Sequence, residues 1–354
     1  MFIYWILFIV PTALGLATGR LTNNARLISL LGASLILVIF IGLREHIGHD
    51  WNNYLAIYER TAAFDFVELF TGWDVGFSLI NWVAAKTGLG FYGMNFICAA
   101  IFTAGLVTFA NRQPNFWRTM ALAVPVLIII VSMSATRQAT AIGVLGFAFL
   151  AFIDRRPILY AALVVLAATF HKSAAVMILL LLFQFRLDSL WRLAAAAAGV
   201  VLAGWFFLFD AIVVYSASYM DSELQANGAL PRAGLNVVAA VAFLVLRKQW
   251  RATYDDYPAF FAFAVTMLAT APIVFIQPVV GDRLAMYLLL PQIAILARLP
   301  QLLPRQTALM ASVGIYLVFA TVMGVWLNFS FFAQVSWIPY ENFLWVDEAR
   351  RQAG

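Results

Sequence analysis

The feature that most constrains this 354-residue chain is a succession of long apolar runs separated by short polar segments. A helix needs about 17–25 predominantly apolar residues to cross a bilayer, and several of these runs reach that length. Charged residues make up 11% of the sequence, whereas a soluble domain has about 25%. This composition excludes a soluble enzyme, a nucleic-acid-binding module and a disordered chain, so the excess of basic residues is no sign of nucleic-acid binding.

The apolar runs predict ten to twelve membrane spans in an all-α, polytopic bundle, with residues 1–354 forming a single membrane domain. The first run has no basic segment before it and no small-residue cleavage site after it, so we interpret it as a retained span. Two neighbouring short runs could form a tilted hairpin, two re-entrant halves or one long helix. They are 158–170 and 174–185; the other runs are 2–18, 27–43, 89–110, 119–134, 138–153, 193–209, 235–246, 259–276, 284–297 and 307–326.

The loops on one side of these spans hold 13 of the 22 basic residues but only four of the 17 acidic ones. The positive-inside rule makes that side cytoplasmic and places the N-terminus outside. The cytoplasmic loops are short. The long loops, 44–88, 210–234 and 327–354, fall on the outer side, where we expect the chemistry.

The loop 44–88 contains two apolar segments that are too short to span a membrane. Tyr54, Ile57 and Tyr58 share one helical face, which predicts a helix in the membrane interface. The following segment, 76–86, is a candidate re-entrant half-helix. The alternative is that both segments simply cap the bundle.

Basic residues on the outer side stand mostly alone at the ends of apolar runs. A helix N-terminus favours anions, and an arginine beside it offers a fork that matches two phosphate oxygens. Such positions predict an anion site, although each arginine taken singly could be a lipid anchor or half of an ion pair. Ser173 and Asp282 are candidate N-caps. The basic residues are Arg44, Arg137, Lys172 (next to His171), Arg232 and Arg283.

The densest polar cluster is GLREHIGHDWNNY, residues 42–54. Asp50 and His171 are the candidate general bases, because each can accept a hydroxyl proton. Tyr54 and Tyr287 are candidates for orienting the substrate. The segment has no HExxH or DxD pattern, so the sequence predicts neither a metal nor another cofactor.

Four segments in chain order resemble the EpsG-type, Wzy-like polysaccharide polymerases. They are GLREHIGHDWNNYLAIYE, SATRQATAIGVLGFAFL, AALVVLAATFHKSAAVMIL and GDRLAMYLLL, and they extend over about residues 40–290. His49 stands where members of that family often have a small Thr or Ser, so the resemblance assigns it no role.

The resemblance implies a GT-C-like helical glycosyltransferase of the bacterial cytoplasmic membrane with its active site facing the periplasm. Its expected substrate is a polyprenyl-diphosphate-linked oligosaccharide, whose repeat units it joins without a nucleotide sugar. A flippase and a chain-length regulator are expected partners, along with membrane lipid. In this reading the diphosphate is bound by Arg137, Arg232 and Arg283, supported by Lys172 and Arg44.

Three other functions remain open from the sequence. A ligase that transfers finished glycan would share the donor and the side of the membrane. A lipid-linked glycan transporter would place cations in mid-bilayer, whereas the charges here lie at the ends of the apolar runs. A membrane acyltransferase would carry its histidine in a different motif.

Overall fold

The computed structural model describes residues 1–17, 22–72, 74–184 and 228–346, and the predicted run 193–209 and most of the loop 210–234 lie outside them. The described chain is almost entirely helical, which confirms the all-α class. The α-helices are α1 Phe2–Ala17, α2 Asn23–Gly42, α3 Trp51–Ala62, α4 Val75–Lys86, α5 Gly90–Asn111, α6 Phe116–Ala123, α7 Thr136–Ile153, α8 Pro157–Phe170, α9 Ala229–Val245, α10 Arg247–Thr253, α11 Tyr257–Thr270, α12 Ile273–Ile276, α13 Pro278–Tyr287, α14 Leu289–Arg298, α15 Arg305–Phe329 and α16 Phe331–Ser336.

The remaining elements are short or irregular. A π-helix, Val124–Ser132, continues α6, and 3₁₀ helices occupy Glu68–Phe70, Lys172–Phe183 and Leu299–Leu302. Strands β1, Arg44–Glu45, and β2, Glu341–Asn342, form an antiparallel pair in which Arg44 lies opposite Asn342.

Five described helices are long and apolar enough to cross a membrane, or seven spans if each of two bent pairs counts as one. The five are Asn23–Gly42, Gly90–Asn111, Thr136–Ile153, Tyr257–Ile276 and Arg305–Phe329. Four further apolar helices of 10–17 residues match predicted runs. A chain with this many apolar helices is a multi-pass membrane protein, as the sequence predicted.

The short runs after residue 157 form a hairpin rather than one long helix. The Tyr160 hydroxyl donates to the Met177 carbonyl, and Gln184 Nε2 donates to the Phe152 carbonyl over 2.6 Å. Residues 17 positions apart in one straight helix would lie about 25 Å apart, so the chain must reverse between them. The reversal falls at His171, between α8 and the 3₁₀ helix.

The described chain divides into two compact units. The first comprises Met1–Val144, Thr169–His171 and Ser312–Gly354, and the second comprises Leu145–Ala168 and Lys172–Ala311. In the first unit α5 and α7 pack backbone to backbone, because a Cβ on Gly105 would lie 1.8 Å from the Gly143 carbonyl oxygen. Small residues at such crossings let membrane helices approach closely.

The first unit has two chemically different ends. At one, Arg26 Nε donates to Asn111 Oδ1 over 2.5 Å, which places the start of α2 beside the end of α5. We call this the basic end; Arg112 and Arg118 belong to it. Because α2 and α5 run antiparallel, the residues that follow α2 lie at the opposite end, where Tyr92 donates to Glu45. We call that opposite end the polar end; Glu45, Asp50, Asp74 and Arg137 belong to it.

The second unit is also polarised. At one end Arg298 Nη1 bonds Asp256 Oδ2 at 2.6 Å, and the Arg298 guanidinium lies 4.4–5.2 Å from the ring centroids of Trp250, Tyr254 and Phe260. Arg298 is the last residue of α14, and the residues before the start of that helix carry the other predicted groups. Tyr287 contacts Ser173, next to Lys172, and Arg232 contacts Asp282, next to Arg283.

Candidate functional site

The loop 43–50 at the polar end of the first unit is fixed by backbone bonds. β1 pairs with β2, and the Gly48 N–H donates to the Ser336 carbonyl over 2.9 Å. Gly48 has φ +106°, and a Cβ there would lie 2.0 Å from the Met133 carbonyl oxygen, so only glycine fits. The loop therefore delivers Asp50 and α3 to a defined place beside the start of α7.

Arg137 is the second residue of α7, and three contacts with two neighbours, Asp74 and Tyr54, define its position. Its Nη1 donates to Asp74 Oδ2 over 2.6 Å, and its guanidinium carbon lies 5.9 Å from the Tyr54 ring centroid. Its backbone N–H donates to the Tyr54 hydroxyl over 3.3 Å. The side chain is 35% exposed. The predicted placement of Arg137 at a helix start is confirmed, and it leaves a partly open cation beside a helix N-terminus.

Tyr54 is buried under Arg137 on the inner face of α3. Burial raises the pKa of Tyr54, and the charge of Arg137 opposes that rise. The side chain therefore remains a neutral phenol at physiological pH. Its ring packs edge-on against Phe77 with centroids 5.7 Å apart, which joins α3 to α4.

Asp50 precedes α3 and is half-buried. Ser134 Oγ donates to Asp50 Oδ2 over 3.3 Å, and Asp50 lies close enough to Tyr54 to raise its pKa. The carboxylate thus stands one helical turn before Tyr54 and beside the segment that leads into α7. This position suits a group that receives a proton near Arg137.

Arg44 is enclosed by the protein. It donates to the carbonyls of Ile41 (2.6 Å) and Ile47 (3.1 Å) and to Thr136 Oγ1 (2.9 Å), and only 2% of the residue is exposed. Burial lowers the pKa of Arg44 to about 10, so the guanidinium is still charged at neutral pH. The geometry makes Arg44 a brace between the loop 43–50 and the start of α7, and its predicted contact with diphosphate stays a prediction.

His171 is buried at the tip of the hairpin. The start of α4 lies against the same tip, because a Cβ on Gly76 would be 2.4 Å from Thr169 Oγ1. Gly76 is two residues from Asp74, and Thr169 is two residues from His171. The first unit therefore brings His171 into the neighbourhood of the Asp74–Arg137 pair.

A second polar group at this end involves Glu45, which is 2% exposed. Tyr92 donates to one carboxylate oxygen, and His46 Nε2 lies 3.3 Å from the other. His46 has φ +48°, an uncommon backbone conformation for a residue with a side chain. Sequence reasoning assigned Glu45 and Tyr92 no role, since only the fold brings them together.

In the second unit, Arg232 forms a two-point ion pair with Asp282. Its Nε lies 2.6 Å from Oδ1 and its Nη2 lies 2.7 Å from Oδ2, and the two side chains are 10% and 7% exposed. Arg232 lies in the first turn of α9, as predicted for a residue near a helix start.

Three predictions about helix starts in this unit are wrong. The 3₁₀ helix begins at Lys172, so Ser173 lies inside it and is no N-cap. The predicted run 284–297 is broken at Leu288, where α13 and α14 meet at 52°. Because α13 begins at Pro278, Asp282 is no N-cap and Arg283 opens no helix. The fixed φ of a proline suits the first position of a helix. Pro278 was therefore the sequence signal for a helix that begins before residue 284.

The other predicted residues of this unit meet at the 3₁₀ helix. Ser173 Oγ and the Tyr287 hydroxyl lie 2.6 Å apart, and both residues are buried. Lys172, the first residue of the 3₁₀ helix, is half-buried. Diphosphate binding by Lys172, Arg232 and Arg283 and substrate orientation by Tyr287 stay predictions.

Sequence reasoning also missed Asp74. It directly precedes the apolar segment of α4, where an aspartate is an expected N-cap, and that role would have seemed sufficient. In the described residues, no group of three or more His, Cys, Asp or Glu side chains is arranged to hold a metal ion.

The fold and the polar end define a class: a multi-pass membrane protein that presents an arginine suited to anions at a helix start. The EpsG family model matches residues 27–342, nearly the whole chain. The chain therefore belongs to the EpsG family, which is a family of Wzy-like polysaccharide polymerases, and the resemblance found in its motifs is confirmed. No curated protein and no solved structure matches it.

Proposed function

We propose that this chain joins polyprenyl-diphosphate-linked oligosaccharide repeat units at the outer face of the bacterial cytoplasmic membrane. Family membership supports a polysaccharide polymerase in general. The observation that carries the finer proposal is the partly open Arg137 guanidinium at the start of α7, which contacts Tyr54 and Asp74. Asp50 bonds Ser134, three residues before Arg137.

The two ends of the first unit support the outer-face location. Arg26 and Arg112 lie at the basic end, and Asp50, Asp74 and Arg137 lie at the polar end. The helix α7 extends about 27 Å from Thr136 to Ile153, close to the thickness of the hydrocarbon core. If the basic end follows the positive-inside rule and faces the cytoplasm, the polar end faces outward.

The proposed reaction needs charge stabilisation and a proton acceptor. The acceptor sugar hydroxyl forms a bond to C1 of the donor sugar, the bond from C1 to the diphosphate oxygen breaks, and polyprenyl diphosphate leaves with the electron pair. Arg137 stabilises the negative charge on that leaving group. Asp50 takes the hydroxyl proton, and His171 is the second candidate for that role.

The assignment of the base is tested by Asp50→Asn, which keeps the shape of the side chain and removes its charge. We expect cells with this variant to accumulate lipid-linked single repeat units and to make no long chains. A ligase variant would instead leave long lipid-linked chains untransferred. If Asp50→Asn polymerises normally and His171→Ala does not, His171 is the base. If both variants made normal polymers, neither Asp50 nor His171 would be the base.

The orientation is tested by labelling single introduced cysteines with a membrane-impermeant thiol reagent. Cys98, the one native cysteine, is replaced by alanine in this background. We expect labelling of intact cells at Glu59→Cys in α3 and none at Arg112→Cys or Arg155→Cys until the membrane is opened. The reverse pattern would place the polar end in the cytoplasm.

A further inference from the structure

We propose that Asp74 is a positioning residue of the polymerase: it holds the Arg137 guanidinium in the orientation that receives the diphosphate leaving group. The inference rests on the proposed function, because it assigns Arg137 to that leaving group. In the proposed role Asp74 itself touches neither sugar nor diphosphate.

Asp74 and Arg137 form a close ion pair. Asp74 Oδ2 accepts from Arg137 Nη1 over 2.6 Å, and the two side chains are 13% and 35% exposed. Among the described residues, Arg137 Nε is buried without a hydrogen-bond partner. The carboxylate therefore holds one end of the guanidinium, at Nη1.

Asp74 lies directly before the first residue of α4. An aspartate there usually accepts a bond from a backbone N–H of the first helical turn. In the described structure the Asp74 side chain makes no such capping bond, and its backbone has φ −97° and ψ 58°. The carboxylate thus bonds Arg137 and does not cap its own helix.

The elements that carry the pair are each held by further contacts. α4 contacts the hairpin tip through Gly76 and Thr169, and it contacts α3 through Phe77 and Tyr54. Arg137 is tied to Tyr54 by its backbone N–H. Two elements that are each held in place are therefore joined by one ion pair, and a guanidinium so fixed needs no reorientation when charge develops on the leaving group.

The test is a double-mutant cycle of Asp74→Asn and Arg137→Gln in the full-length protein. Rates are measured in isolated membranes with the lipid-linked repeat unit as substrate, by an assay sensitive enough to follow the residual rate of Arg137→Gln. We expect Asp74→Asn to lower kcat about 10–100-fold with little change in KM, since a slightly misplaced group loses stabilisation of the transition state. Asp74→Glu should recover part of the rate, and Asp65→Asn, an exposed carboxylate in the same loop, should leave it unchanged.

The double variant decides the role. If Asp74 acts through Arg137, the double variant is as slow as Arg137→Gln alone. If the two losses multiply, Asp74 acts independently, for example as the base, and the inference is overturned. If Asp74→Asn has a normal rate while Arg137→Gln is slow, the role of Asp74 is overturned but the proposed function is not. A normal rate for Arg137→Gln overturns the proposed function as well. Thermal unfolding of each purified variant separates loss of fold from loss of positioning.

Discussion

The two units each carry an arginine–aspartate pair near a predicted helix start, and the pairs differ in how the arginine is used. Arg232 gives two of its nitrogens to Asp282 in a site where both side chains are nearly enclosed. Arg137 gives one nitrogen to Asp74 and stays about one-third exposed over Tyr54. In the buried two-point pair the fork of the guanidinium is already occupied by a carboxylate, whereas a partly open one-point pair can accept a further anion.

The largest expected effect comes from making the same substitution in both pairs. Asp282→Ala leaves the Arg232 charge buried without its carboxylate and should lower the free energy of unfolding by about 3–5 kcal/mol. Asp74→Ala should cost about 0–1 kcal/mol, since its partner stays partly hydrated. Thermal unfolding of the purified proteins in one detergent measures both. Equal losses of stability would remove the distinction between the pairs.

The next effect is on activity and concerns the fork of Arg137. Arg137→Lys keeps the charge but cannot present two parallel N–H groups to phosphate oxygens, so we expect polymer synthesis to fall about 100-fold. Polymer length and yield on a gel measure the loss. The matched control is Arg26→Lys at the basic end, for which we expect normal polymer. A fully active Arg137→Lys protein would show that a point charge is sufficient.

A smaller effect tests the frame of the polar end. In Gly76→Ala the new Cβ would lie 2.4 Å from Thr169 Oγ1 and 3.2 Å from the Thr169 carbonyl oxygen. We expect a loss of about 1–3 kcal/mol in the free energy of unfolding, partly recovered in the double variant with Thr169→Ala.

The control for that substitution is Gly314→Ala. A Cβ on Gly314 of α15 meets nothing within 4 Å, so this variant should gain about 0.5–1 kcal/mol. If the Gly76→Ala protein were as stable as the Gly314→Ala protein, α4 would not depend on its contact with the hairpin tip.

The smallest expected effect is that of Tyr54→Phe. It removes the hydroxyl that accepts the Arg137 backbone N–H. Polymerisation should slow about fivefold, which corresponds to an increase of about 1 kcal/mol in the activation free energy. Because burial raises the pKa of Tyr54, its hydroxyl stays protonated well beyond neutral pH. The pH profiles of the wild type and Tyr54→Phe should therefore have the same shape between pH 6 and pH 9. A difference in shape would show that Tyr54 titrates during the reaction.

The fold class was readable from the sequence because long apolar runs leave a chain few alternatives. The start of α7 at Thr136 was predicted closely, since polar residues precede a continuous apolar run there. The start of α13 was missed, because Pro278 and Gly281 interrupt the apolar pattern although the helix continues through them.

Only part of the candidate site could be predicted from the sequence. Arg137, Asp50 and Tyr54 could be found because they stand out at the edge of apolar runs. Their partners could not, because Asp74 lies 63 positions before Arg137 in the chain and Asp282 lies 50 positions after Arg232. Such long-range pairing decides whether an arginine is a structural partner or remains open to a ligand, and no local pattern encodes it.

The most direct test of the central claim is the affinity of the full-length protein, in lipid nanodiscs, for undecaprenyl diphosphate. We predict that the wild type and Arg26→Gln bind it with the same Kd and that Arg137→Gln raises the Kd at least about tenfold, the loss of roughly one charge-assisted contact. An unchanged Kd in Arg137→Gln would contradict the claim that the polar end of the first unit binds the lipid diphosphate.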